Sequence, residues 1–255
     1  DGRAEMAPEV MGDILRQNPT VIVTMGSPIA QAAKSATTTI PVVMASVGDP
    51  VGQGLVASLA RPGGNITGSS LMVEATIGKE VELLREVIPS ATRIAVLVNP
   101  QNPFYRTVLP ELEITAMKLQ VQLLRTYITT ADGLDGGLKV LAAQRPHALI
   151  VTSDGLFQAY RKKLVEFAAS SRIPATYPQS EFVVDGGLMS YAPSVTWRFQ
   201  RAATFVHRIL KGAKPSELPV EQATRFELFI NQKTAKALAI TIPQSVLVRA
   251  DRVIE

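Results

Sequence analysis

Apolar residues in this chain gather into short runs that each stop at a small polar cluster: VIVTMGSP (21–28), PVVMASVGDP (41–50), IAVLVNPQNP (94–103) and ALIVTSDGLF (148–157). Runs of about five to eight apolar residues, with helical patterns between them, predict buried parallel strands covered on both faces. In open α/β sheets ligands bind beyond the carboxyl ends of such strands, so the polar clusters mark the rim of a candidate ligand crevice.

Read in order, the first block predicts a helix at about 4–17, a strand at 20–25, a helix at 27–36, a strand at 41–47, a short helix at 52–60 and a strand at 65–70 after the turn Arg61-Pro62-Gly63-Gly64. The second block predicts strand 93–98, helix 104–118, strand 120–126, helix 133–144, strand 147–152, helix 156–171, strand 173–177 and strand 187–191. Strands alternating with helices of about 10–15 residues are the signature of βαβ units, and the expected class is α/β with two Rossmann-like lobes. If the halves are structural repeats, the first lacks about one βαβ unit, roughly 30 or more residues, so a further N-terminal piece is expected.

A helix at 75–88 with apolar Ile77, Val81, Leu84 and Ile88 at helical spacing, ended by Pro89, joins the blocks. A second connection follows Tyr191, where Pro193 and Ser194 precede a helix at about 195–211 that returns toward the first block. The expected organisation is 1–89 plus about 192–215 as lobe one and 90–191 as lobe two, with 216–255 crossing the hinge and its lobe open. The tail reads as an extended segment at 218–231, a short helix at Lys233–Ala239 and a closing segment.

Composition narrows the function classes. The 255 residues are 46% apolar, enough for a large core in two lobes, and no apolar run approaches the roughly 18–20 residues that span a bilayer. Cysteine is absent and the histidines are His147 and His207 alone, which removes thiolate nucleophiles and makes a His-based metal or catalytic cluster an unpromising reading. The net charge of +4 is spread over Arg93, Arg125, Lys139, Arg145, Lys162, Lys163 and Lys211 rather than gathered into a stripe, so no nucleic-acid partner is expected. The chain opens at Asp1 with neither a charged n-region nor an apolar h-region; a trimmed mature chain reads the same way.

The crevice candidates lie at strand ends. Gly26, Ser27 and Pro28 open a helix, with Ser27 as N-cap and Pro28 in the first turn; the same N-terminus suits a ligand carboxylate. Asp49 and Pro50 form either a turn or, through Asp49, a partner for a ligand ammonium. Asn99 and Asn102 belong to a loop whose amides reach a ligand or only shape the turn, and Asp154 is either a helix cap or a second acid in the cleft. Tyr191 lines the pocket or packs the hinge. Phe157, with Phe104, Tyr105 and Tyr177, is a stacking surface or core, and Trp197 reads as packing. Enzyme signatures are missing. Gly26-Ser27-Pro28 is neither a nucleophile elbow nor a phosphate loop, no G-x-G-x-x-G opens a helix, and nothing in sequence brings Asp49 and Asp154 to the roughly 5–10 Å that glycoside hydrolysis needs.

The segments MGSPIAQAAK (25–34), SVGDPVG (46–52), GLVASLARPGGNITG (54–68), GGLMSY (186–191), NQKTAKALAITIP (231–243) and ADRVIE (250–255) together resemble the ABC-transporter substrate-binding proteins of the tryptophan/tyrosine-type periplasmic kind, in order over essentially the whole chain. The resemblance implies a type I periplasmic-binding-protein fold, two lobes joined by hinge strands that close on a small ligand and present it to a membrane ABC permease. It also implies an extracytoplasmic location, no cofactor, no catalysis and a monomer, and it favours Asp154 as a ligand contact. Aromatic amino acids, branched-chain and other amino acids, and small aromatic acids all stay open as the solute. A ligand-sensing module on the same fold is the alternative reading, and a carboxylate-dependent enzyme a more distant one.

Overall fold

Two parallel sheets, each fed by short apolar strands, account for the architecture of the computed structural model, which describes residues 2–71 and 73–255. The strands in chain order are β1 (Ile22–Met25), β2 (Val42–Val47), β3 (Ile66–Ser70), β4 (Arg93–Val98), β5 (Gln122–Tyr127), β6 (Ala148–Val151), β7 (Ala175–Tyr177), β8 (Met189–Pro193), β9 (Glu221–Gln222), β10 (Phe226–Asn231) and β11 (Arg252–Ile254). One sheet has the order β1-β2-β3-β9, all parallel. The other has the order β11-β10-β8-β7-β6-β4-β5, parallel except where β10 runs against β8.

The continuous apolar runs are explained by helices on both faces of each sheet. Along β2, Val42 and Met44 face a core with Met11, Ala30 and Ile66, under helices Ala7–Arg16 and Ser27–Ala36. The alternate residues Val43 and Ala45 meet Ala202, Phe205 and Ile209 of helix Val195–Leu210. Strand β4 behaves likewise, with Ile94, Val96 and Val98 on one side and Ala95 and Leu97 on the other. Each such Val, Ile, Leu, Met or Phe side chain, fully buried, contributes about 1.5–3 kcal/mol.

The chain passes between the lobes three times: after β3 into helix Val73–Val87, after β8 into helix Val195–Leu210, and between β9 and β10. The last two passes lie side by side, because Ser194 N–H donates to the Arg225 carbonyl at 3.0 Å. Arg201 then grips Glu221 through two bonds of 2.6 and 2.5 Å, fixing the returning helix to β9. The tail beyond residue 225 thus extends the larger sheet through β10 and β11.

Several elements differ from the sequence reading. No helix forms at 52–60: the carbonyl of Pro50 accepts from both Leu55 and Val56, and Asp49 Oδ1 accepts from Gly52 N–H at 2.8 Å, which closes a series of turns. A Cβ at Gly52 would lie 1.9 Å from Asp49 Oδ2, so any larger residue there must push the Asp49 carboxylate aside. The helix expected at 156–171 is two, Gly155–Ala159 and Arg161–Ser170, broken at Tyr160, and a short helix Ser180–Val184 precedes β8.

Candidate functional site

The residues that follow the carboxyl ends of β1, β2, β3, β4, β6 and β7 converge on one cavity of about 410 Å³ between the lobes. That volume is within the range of small-molecule sites. Lobe one supplies its wall through β1 and β2. Gly26 links β1 to helix Ser27–Ala36 with φ 86° and ψ 152°, backbone angles open essentially to glycine alone. Gly26, rather than Ser27, is therefore the N-cap; Ser27 opens the first turn and Pro28 follows. Because Pro28 has no N–H, the helix start offers the cavity the N–H groups of Ser27 and Ile29.

Lobe two supplies a hydrogen-bonded wall centred on Asp154. Its Oδ1 accepts from Leu156 N–H at 2.8 Å, capping helix Gly155–Ala159, and from Asn99 Nδ2 at 3.4 Å. Its Oδ2 accepts from Asn102 Nδ2 at 2.8 Å, while Asn102 Oδ1 takes Phe104 N–H at 3.1 Å. Asp154 and Asn102 line the cavity; Asn99 stands behind them, holding the aspartate. The N-terminal segment completes the mouth, with Gly2, Arg3, Ala4 and Met6 on the lining and Gly2 packed against Gly155 and Leu156.

The floor holds a residue that the sequence reading missed. Arg198, in the first turns of helix Val195–Leu210, is only 5% exposed, donates from Nη1 to Ser46 Oγ at 3.1 Å, and has an Nε with no partner. Burial lowers its pKa, offset in part by the charges of Glu181 and Glu227, and an arginine stays cationic under such a shift. Among the described residues no carboxylate lies within ion-pair distance of it. The clue was its phase: residues 198, 202, 205 and 209 form one buried stripe, and a charge on that stripe is anomalous.

Beyond Arg198 a smaller chamber of about 40 Å³ adjoins the cavity, sharing Leu71, Phe104, Ser153, Gln179 and Arg198 with it and reaching Glu80 and Tyr191. Glu80 is also in phase with a buried stripe, that of Ile77, Leu84 and Val87.

Of the ten sequence candidates, the structure brings Gly26, Ser27, Pro28, Asn102 and Asp154 to the main cavity. Tyr191 lines the small chamber, stacked on Phe226 with ring centroids 5.7 Å apart. Asp49 and Pro50 do not line the cavity; they are spent on the turn described above, and only their neighbour Gly48 reaches it. Asn99 acts through Asp154, and Phe157 is fully buried in the core of lobe two with Leu164 and Phe182. Among the described residues no group of three or more His, Asp or Glu could hold a metal, and no helix is long and apolar enough to cross a membrane.

The family model for ABC transporter substrate binding proteins matches residues 2–254. The chain belongs to that family. A curated relative of this substrate-binding protein is a tyrosine-binding protein of Clostridioides difficile (strain R20291), 29% identical over 218 residues. The alignment covers 86% of this chain and 62% of the relative, so the chain spans well under the relative's full length. A conserved domain protein from Vibrio cholerae superposes with a TM-score of 0.91 at 29% identity, covering 99% of this chain and 84% of that one. An ABC domain from Streptococcus pneumonia in complex with L-Trp superposes with a TM-score of 0.90 at 27% identity, covering 98% and 84%. The expected fold class, two α/β lobes of the type I periplasmic-binding-protein kind, agrees with these superpositions.

Proposed function

We propose that this protein is the extracytoplasmic solute-binding component of an ABC importer, capturing an amino acid, with aromatic ones first among the candidates, between its two lobes. The observation that carries the reading is Arg198: a buried cation, on the floor of a cavity of ligand size, with no carboxylate among the described residues within ion-pair distance. A buried charge left without a counter-charge is costly, and a ligand carboxylate removes that cost on binding. The N–H groups at the start of helix Ser27–Ala36 add to the field that attracts an anion. Apolar Met6, Met25, Leu71 and Phe104 on the walls suit an aromatic or aliphatic side chain. The relative named for tyrosine and the superposed domain bound to L-Trp support the same solute class.

In this reading the protein works by hinge closure as a monomer. A ligand anchored on Arg198 gains the Asp154–Asn102 wall only when lobe two comes in, so its affinity is greater for the closed form and it shifts the population there. The closed form is what a membrane permease receives, and no cofactor or catalytic step is involved. The test is a thermal-shift screen of the full-length protein against amino acids, aromatic acids and sugars. A ligand at about 100 times its dissociation constant adds about 2.7 kcal/mol. For a chain of this size that raises the melting temperature by roughly 5–11 °C. No shift with any solute refutes the reading.

A further inference from the structure

Two buried ionisable side chains flank the inner end of the cleft, and neither satisfies the other. Glu80 is 6% exposed and its Oε2 has no hydrogen-bond partner; Arg198 is 5% exposed and its Nε has none. Both line the chamber of about 40 Å³ that opens into the main cavity, a space on the scale of one or two waters or an ammonium group. The two belong to different inter-lobe passages, Glu80 to helix Val73–Val87 and Arg198 to helix Val195–Leu210. Burial alone raises the pKa of Glu80, and the charges felt by Arg198 come from Glu181 and Glu227, so Glu80 is not its counter-ion.

We propose that this inner chamber and the adjoining cavity floor form a subsite for the head group of a zwitterionic α-amino acid, in which Glu80 receives the α-ammonium in the chamber and Arg198, which lines both spaces, receives the α-carboxylate, leaving the side chain to the 410 Å³ cavity. The proposal rests on the solute-binding reading above and narrows it: a solute gains from both groups, so aromatic monocarboxylates and amines bind more weakly than the amino acid. Asp49, the acid that the sequence offered for the ammonium, is tied to Gly52 N–H outside the cavity, which leaves Glu80 as the chamber's acid. A single buried charge would read as an anion or a cation site. A cation and a buried carboxyl on one small chamber match a dipolar head group, because the ligand carboxylate supplies the counter-charge that Arg198 lacks and the ligand ammonium favours the ionised form of Glu80.

The experiment is isothermal titration of the full-length protein with the best-binding of the twenty amino acids, its des-amino acid and its decarboxylated amine. For L-tryptophan these are 3-(indol-3-yl)propanoate and tryptamine. Glu80→Gln, which keeps the shape of the acid, is expected to weaken the amino acid by about 10- to 100-fold while moving the des-amino acid by less than about threefold. Arg198→Gln is expected to weaken the amino acid and the des-amino acid alike and to spare the amine. Comparing ligands within one variant cancels any general loss of fold. The subsite is overturned if Glu80→Gln binds the amino acid as the natural protein does, or if the des-amino acid matches the amino acid on the natural protein. Binding of aromatic acids with no amino acid bound overturns the subsite and leaves the solute-binding reading standing; no binding of any solute overturns both.

Discussion

Replacing Arg198 by methionine separates a ligand-binding arginine from a structural one, because the two roles predict opposite effects on the ligand-free protein. The arginine is 5% exposed, makes one bond to Ser46 Oγ at 3.1 Å and leaves Nε unsatisfied. An unsatisfied buried donor costs about 1–3 kcal/mol, more when charged, and methionine removes that cost. Against this, Ser46, itself 5% exposed, loses its partner, at about 1 kcal/mol. The single variant is therefore expected to be near neutral in stability. The double variant Arg198→Met with Ser46→Ala, which leaves no orphan, is expected to be neutral or more stable by about 1 kcal/mol. At about 2–4 °C per kcal/mol the ligand-free melting temperature stays within a few degrees or rises.

Ligand affinity moves the other way. A charge-assisted hydrogen bond to the carboxylate is worth about 1.5–3 kcal/mol, so Arg198→Met lowers affinity about 10- to 150-fold. Scanning calorimetry without ligand and titration calorimetry with it read the two effects separately. A large fall in ligand-free melting temperature with unchanged affinity would refute the reasoning, because it would make Arg198 a keystone of lobe one rather than a receptor for the ligand.

Gly26→Ala places a Cβ at φ 86° and ψ 152°, a strain of about 1–3 kcal/mol, and is expected to lower the melting temperature by several degrees even though nothing lies closer to that Cβ than Pro28 at 3.9 Å; an unchanged melt counts against it. Asp154→Ala removes a helix cap worth about 1 kcal/mol and frees the amide of Asn102, so the ligand-free protein is expected to melt lower, and an equal melt would mean the network is dispensable. Burial holds the Glu80 pKa well above 4.5, so in the folded chain it keeps a proton that the unfolded chain has released. Ligand-free stability is thus expected to fall as pH rises from 4.5 through the raised pKa, and Glu80→Gln to remove that slope. The other titratable groups on the chamber, Arg198 and Tyr191, both shift in ways that keep their charge state fixed over that range, so identical pH profiles would dismiss the idea.

Strand positions were legible because β2, β4 and β6 are covered on both faces, which leaves nearly continuous apolar runs, broken in β2 by Ser46 alone. The carboxyl ends of β1, β4 and β6 carried the cavity residues Gly26, Ser27, Pro28, Asn102 and Asp154 with them. Segment 52–60 misled because its apolar residues, Leu55 and Val56, are buried by turns hung on Pro50 rather than by a helix. The place of the tail depended on β10 pairing antiparallel with β8, a contact between distant residues that no local pattern encodes. Arg198 and Glu80 were overlooked for a different reason: charges on helices are usually solvated, and only their phase, level with Phe205 on one helix and Leu84 on the other, sets them apart.

That placement bears on how a hinge is driven. Turning a receptor that is about 1% closed into one about 99% closed needs about 5.5 kcal/mol of differential affinity. One charge-assisted bond, at about 1.5–3 kcal/mol, falls short, whereas two suffice at the upper figure and about four at the lower. A lobe-one floor with Arg198 alone would hold a ligand without closing on it. Glu80 is on a helix packed against the larger sheet and Arg198 on a helix packed against the smaller one, each just after a passage between the lobes. A solute that joins them therefore ties together the two bodies whose relative movement is the closure itself. Had the two side chains been close enough to pair, they would have neutralised each other in the empty protein and left a zwitterion little to gain. Kept apart, Arg198 is left without a counter-charge and Glu80 holds its proton in the empty cleft, and the binding energy released when a zwitterion matches both is available for closure.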